Sequence, residues 1–236
     1  MKKTVFFDLD GTLLPMDQDV FIKAYFGLLA KKLAPHGYRS EPLLQAIWQG
    51  IGAMVSNDGS RSNEEAFWAK FCELLGEHCR ADEPIFVDFY THEFQQVAEV
   101  CGKTAAAAET LRLCKDLGAD VVLATNPLFP AVATESRIRW AGLERSDFRH
   151  VTTYENSSFC KPNSAYYREI LEKLDLRAED CLMVGNDATE DLAAAELGLP
   201  VFLLTDCLIN KNGVDLGGLP HGGFEELAHW LKEQLH

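Results

Sequence analysis

The sequence predicts an α/β fold, a parallel sheet wrapped by helices, with an all-helical segment inserted after the first strand. Three observations carry this. Short apolar runs bounded by turn residues alternate with helical patterns at the start of the chain and through its second half. Between residues 15 and 101 the alternation stops and only helical periodicity remains. The chain has 236 residues and is 47% hydrophobic, enough to build a core beneath both parts.

The strands come first. Strands buried on both faces read as continuous apolar runs, and Val5 to Phe7, Val121 to Ala124, Cys181 to Val184 and Val201 to Leu204 have that form. A weaker run near Phe148 to Thr152 makes a fifth. Between them, Ala105 to Leu117, Phe129 to Ala141, Tyr166 to Leu174 and Asp191 to Leu197 carry apolar residues at three- and four-residue spacing and predict helices.

The insertion carries four helical patterns. Val20, Phe21, Ala24, Leu28 and Leu29 mark the first, and Leu43, Leu44, Ile47, Trp48 and Ile51 the second. Phe67, Phe71, Leu74 and Leu75 mark the third, opened by a capping box at Ser62 and Glu65. Ile85, Phe86, Phe89, Phe94 and Val97 mark the fourth, opened by Asp82 and Pro84. The expected division is a core of residues 1–14 and 102–236 and a cap of residues 15–101, whose two linkers return to the end of the first strand. Trp48, Phe67, Trp68 and Phe71 are expected to form the core of the cap. Arg61, on the Ser56 to Ser62 loop, could reach a second anionic group on a ligand, or be an exposed loop arginine with no specific role. A turn-rich stretch, NKNGVDLGGLPHGG, precedes a closing amphipathic helix marked by Phe224, Leu227, Ala228 and Leu231.

Charge excludes some partners. Twenty-two Lys and Arg against thirty-six Asp and Glu give a formal charge of -14, which repels nucleic acid and anionic membrane surfaces. A phosphorylated ligand would need a local positive site. No apolar stretch approaches the roughly 20 residues of a membrane helix. The first strand begins almost at Met1, so no secretion signal is expected there. Seven widely spaced cysteines without a CxxC read as reduced thiols, and a cytoplasmic location is expected.

The first strand ends in Asp8 and Asp10, which point the same way in extended chain. Like charges that close raise one another's proton affinity, so one stays ionised while the other can hold a proton. That suits a carboxylate nucleophile beside a general acid and base, provided a cation relieves the repulsion. The competing readings are a solvated turn and a calcium loop, although that loop wants Gly at its sixth position, where Leu13 stands. Thr125 and Asn126 follow the second strand at a carboxyl end, where open parallel sheets bind ligands, and can hold a phosphate oxygen; Thr-Asn-Pro also makes an ordinary turn. Lys161, before Pro162, can neutralise nucleophile and phosphate together, or be a plain surface lysine. Asp187 and Asp191, with Glu190 beside them, either cap the next helix or supply oxygen ligands to Mg²⁺.

The ordered set Asp-x-Asp-Gly-Thr, strand-Thr-Asn, Lys-Pro and Gly-Asn-Asp-x-x-x-Asp resembles the haloacid dehalogenase superfamily over essentially the whole chain. The resemblance implies a Rossmann-like core with a helical cap inserted after the first motif. It implies that Asp8 forms an aspartyl-phosphate, and that Asp10 protonates the leaving oxygen, then activates water, its backbone carbonyl ligating the metal. It implies that Thr125 and Lys161 hold the phosphate, and that Asp8 and Asp187 complete the protein ligands of Mg²⁺, with Asp191 supporting them from behind. Asn186 departs from relatives that have an acid there. Asp10 directs the reading to phosphoryl transfer, because the dehalogenases and phosphonate hydrolases of the superfamily lack it. The expected activity is a phosphatase acting on a small phosphorylated metabolite. The alternatives are a sugar phosphomutase and a catalytically silent binding protein.

Overall fold

The computed structural model describes residues 2–235. Six strands, β1 (Thr4–Phe7), β2 (Asp120–Leu123), β3 (His150–Val151), β4 (Cys181–Gly185), β5 (Val201–Leu204) and β6 (His221–Gly222), form one parallel sheet in the order β3-β2-β1-β4-β5-β6. This is the Rossmann-like arrangement the sequence predicts. All five expected strands are present. β6 was not expected, because its two residues carry no apolar signal and its place in the sheet rests on backbone bonds. Leu203 donates to the carbonyl of Pro220 at 3.0 Å and Thr205 to that of Gly222 at 3.0 Å.

Strand alternation divides the core in two. Val5, Phe7, Val121, Leu123 and Val184 face one side, toward Ala107, Leu111 and Cys114 of α5 (Ala106–Asp116), Ala133 and Ile138 of α6 (Ala131–Trp140), and Leu227 and Leu231 of α8 (Phe224–Leu235). Phe6, Val122, Met183 and Leu203 face the other, toward Tyr166, Tyr167 and Ile170 of α7 (Ser164–Leu174). The expected helix over 191–197 winds instead as a 3₁₀ turn, Leu192–Leu197. Its first residues lack a side-chain cap because the Asp191 carboxylate turns back to the N–H groups of Asn186 and Asp187, at 2.9 Å each.

The insertion is helical as expected: α1 (Gln18–Leu33), α2 (Ser40–Val55), α3 (Asn63–Leu75) and α4 (Glu83–Thr91). The capping box at Ser62 and Glu65 forms. The predicted fourth helix is broken into α4 and a 3₁₀ segment, Glu93–Val100, and a separate 3₁₀ turn, Glu77–Asp82, precedes it. Asp82 does not cap it; its carboxylate accepts from the Tyr38 hydroxyl at 2.7 Å. The linkers run side by side, with Met16 bridging Cys101 and Gly102 donating to the Pro15 carbonyl at 2.7 Å. The insertion meets the sheet-bearing part at two further places. Asn63 donates its backbone N–H to Ser157 at 2.8 Å and its side-chain amide to the Phe159 carbonyl at 3.2 Å. The Gln95 amide donates to Ser136 on α6 at 2.9 Å, while its carbonyl accepts from Trp140 at 3.2 Å. Among the described residues, no helix is long and apolar enough to cross a membrane.

Candidate active site

Strand register sets the site. Phe7 of β1 lies level with Leu123 of β2 and Val184 of β4, so the residues just beyond all three strands share one rim of the sheet. Strand order reverses at β1, the place where such sheets bind ligands. Asp8 and Asp10, Thr125 and Asn126, and Asn186 and Asp187 all line one cavity there.

Asp8 is buried, and its Oδ1 accepts from the Lys161 ammonium at 2.9 Å. Lys161 also donates to Asp191 Oδ1 at 2.7 Å. Lys161 is therefore no surface lysine; it is 1% exposed and sits behind Asp8 rather than on the cavity wall. Burial alone would lower its pKa, but Asp191 and Asp8 together hold it well above the usual range. Asn126 fixes the Lys161 backbone, accepting from its N–H at 3.2 Å and donating to its carbonyl at 3.4 Å. Burial pushes the Asp8 carboxyl up to about 7 against the opposing pull of Lys161.

Asp10 is paired with a residue the sequence reading missed. The fully buried guanidinium of Arg137, on α6, donates to Asp10 Oδ2 and, at 3.2 Å, to the Thr134 hydroxyl. It lies over the Phe129 ring, 4.3 Å from the centroid. The other oxygen of Asp10, Oδ1, is buried without a partner. Burial raises the Asp10 pKa, with Arg137 opposing. A signal for Arg137 was present: it stands four residues from both Ala133 and Ala141, on the buried stripe of its helix.

The two later aspartates divide their work. Asp191 is saturated, with Oδ2 holding two backbone N–H groups and Oδ1 holding Lys161. Asp187 uses Oδ1 to accept from the N–H groups of Thr189 at 2.7 Å and Glu190 at 2.9 Å, so it caps the turn while lining the cavity. Asn186 accepts from the Thr12 hydroxyl at 3.0 Å and donates to the Cys207 carbonyl at 2.7 Å, which ties the first motif to the fourth. Gly11 lies against it: φ is +84°, and an added Cβ would come 2.3 Å from Asn186 Nδ2. Thr125 is buried; its carbonyl accepts from Thr152 at 2.7 Å and from the Tyr166 hydroxyl at 2.8 Å. Glu190 also lines the cavity, and burial pushes it up to about 8.

The donor set suits a hard cation. Every candidate ligand is an oxygen, and five carboxylates line this end of the cavity against two cations, Lys161 and Arg137, which are already paired. Among the described residues, no three His, Cys, Asp or Glu form a closed metal cage. Mg²⁺ commonly takes only one or two carboxylates and completes its shell with phosphate and water.

The cap corrects two expectations. Phe71 and Trp68 are core as expected, but Trp68 also lines the cavity, as do the partly buried Phe67 and the half-exposed Trp48. Arg61 is exposed on its loop and is not part of the cavity lining.

A family model described as haloacid dehalogenase-like hydrolase matches residues 2–198. A phosphoglycolate phosphatase of Agrobacterium fabrum is 26% identical over 195 residues, covering 82% of this chain and 76% of its own. A ribulose-1,5-bisphosphate 5-phosphatase of Halopiger xanaduensis is 26% identical over 216 residues, covering 86% and 84%. The crystal structure of a HAD phosphatase from Thermococcus onnurineus superposes with a TM-score of 0.58 at 20% identity, covering 98% of each chain.

Proposed function

We propose that this chain, which belongs to the haloacid dehalogenase-like hydrolases, is a Mg²⁺-dependent phosphatase that hydrolyses a small phosphomonoester through an aspartyl-phosphate on Asp8. One observation carries the reading. At the head of a single cavity, a lysine-held carboxylate stands two residues from a carboxyl that has one oxygen clamped by Arg137 and the other unpartnered.

The steps follow from those atoms. The Asp8 carboxylate attacks phosphorus while the ester P–O bond breaks. Asp10, whose proton affinity burial raises against the pull of Arg137, passes a proton to the leaving oxygen and is left as a carboxylate. It then takes a proton from water, whose oxygen attacks phosphorus and releases phosphate and free Asp8. Thr125 and Asn126 would receive the phosphate oxygens, while Lys161 balances the charge of Asp8 from behind. Mg²⁺, when bound, neutralises charge on the transferring phosphoryl group; Asp8, the Asp10 carbonyl and Asp187 would hold it, with Asp191 supporting the Asp187 loop. Residues 15–101 act as the cap that keeps bulk water from the reacting atoms. Hydrolysis is favoured over mutase chemistry because no Lys, Arg or His among the described residues lines the cavity to anchor the second phosphate of a bisphosphate. The seven free thiols agree with a cytoplasmic setting.

The test is phosphate release from a panel of phosphomonoesters with and without Mg²⁺. Asp8→Asn should abolish it while leaving the melting transition intact. Turnover by Asp8→Asn at the wild-type rate would end the proposal.

A further inference from the structure

We infer that the substrate of this site is a phosphomonoester whose alcohol portion is an uncharged ring or similarly compact apolar group, a conclusion that rests on the phosphatase reading. The cavity divides sharply by chemistry. Its floor is the acidic rim of the sheet. Its walls and roof come from the cap and from the loop that leads into α6 and are apolar and largely aromatic, among them Tyr25, Phe26, Trp48, Phe67, Phe86 and Phe129.

Charge excludes the commonest metabolite phosphates. A substrate with a second anion would place it near five carboxylates, in a cavity whose described lining holds no Lys, Arg or His. Arg137 and Lys161 cannot answer it, since they are fully buried behind Asp10 and Asp8. Desolvating an unpaired anion there costs far more than any contact returns. That argues against the carboxylate of a phosphoglycolate and against the second phosphate of a sugar bisphosphate. A bare polyol would leave its hydroxyls facing rings.

Size and polar inventory agree with a ring. The cavity is about 210 Å³. A dry cavity of about 150 Å³ lined by Leu, Ile and Phe already takes benzene. The Tyr25 and Tyr90 hydroxyls bond each other at 2.7 Å, so each has a partner and at most one O–H is left to offer a substrate. Trp68, 5% exposed and on the cavity wall, has a buried indole N–H with no acceptor, which leaves a place for one neutral oxygen on the ring.

Phosphate release from 2-phenylethyl phosphate, ethyl phosphate and 2-phosphoglycolate, each with Mg²⁺, tests the inference. The expected kcat/KM for 2-phenylethyl phosphate exceeds that of ethyl phosphate about a hundredfold, from burial of the ring. 2-Phosphoglycolate should be the poorest of the three. Trp48→Ala, at a half-exposed position where truncation spares the fold, should lower kcat/KM for 2-phenylethyl phosphate about tenfold and narrow its lead over ethyl phosphate. Equal rates for the phenylethyl and ethyl esters, or a preference for 2-phosphoglycolate, would overturn the substrate class and leave the phosphatase reading standing. Failure to release phosphate from any of the three would overturn both.

Discussion

Arg137 offers the sharpest test of how the site is held. It is 0% exposed, pairs with Asp10, donates to Thr134 and stacks on Phe129. Asp10→Asn strands a guanidinium that cannot deprotonate, and breaking a buried pair from one side costs about 3–5 kcal/mol. Arg137→Met strands a carboxyl that can take up a proton, so its cost is smaller. The double variant Asp10→Asn/Arg137→Met strands no charge at all. Its destabilisation should therefore fall short of the sum of the singles by about 3 kcal/mol. At this chain length that corresponds to roughly 6–12 °C in Tm. Thermal melts of all four proteins, run without Mg²⁺, read the coupling directly. In activity, Arg137→Met should lose kcat by an amount bounded by the general acid–base contribution of Asp10, about 10²–10⁴-fold. Additivity of the two singles within about 0.5 kcal/mol would refute the claim that the pair is energetically joined.

Further outcomes follow from single contacts. Gly185→Ala would put a Cβ 2.0 Å from Asp191 Oδ2; overpacking of this kind costs about 1–3 kcal/mol, and kcat should fall as Asp191 loses Lys161, both read by melting and turnover. Burial, with Lys173 and Arg145 nearby, lowers the pKa of His150 below its ordinary 6.5. The unfolded chain then binds the extra proton first, so stability falls as pH drops from about 6.5 toward the lower folded value. His150→Gln should flatten that limb in melts taken from pH 7 to pH 5. Mg²⁺ should raise the Tm of the wild type, by the equivalent of about 2.7 kcal/mol at a hundred times its Kd, and raise that of Asp187→Asn less; equal shifts would remove Asp187 from the ligand set.

Legibility differed by element. The four long apolar runs appeared where expected because a fully buried strand must be apolar at every position. β6 escaped because a two-residue strand held by backbone bonds leaves no side-chain pattern. The fourth cap helix looked continuous because Phe86, Phe89, Phe94 and Val97 keep helical spacing and are all buried, although the backbone changes winding at His92. The cap aromatics misled for a related reason. A stripe facing a core and a stripe facing a cavity have the same period, and Trp68 serves as both, while Trp48 and Phe67 line the cavity without being fully buried.

What the sequence determined by itself was local: the parallel α/β plan, the helical insertion and the acids at the strand ends, each written in side-chain periodicity and turn chemistry over a few residues. The tertiary structure alone decided which charges meet. Lys161 reaches Asp8 across 153 positions and Arg137 reaches Asp10 across 127, and both pairings depend on sheet register and on the rotation of helices against the sheet. No local pattern specifies those, because a helix shows its period to every possible neighbour and packing selects one.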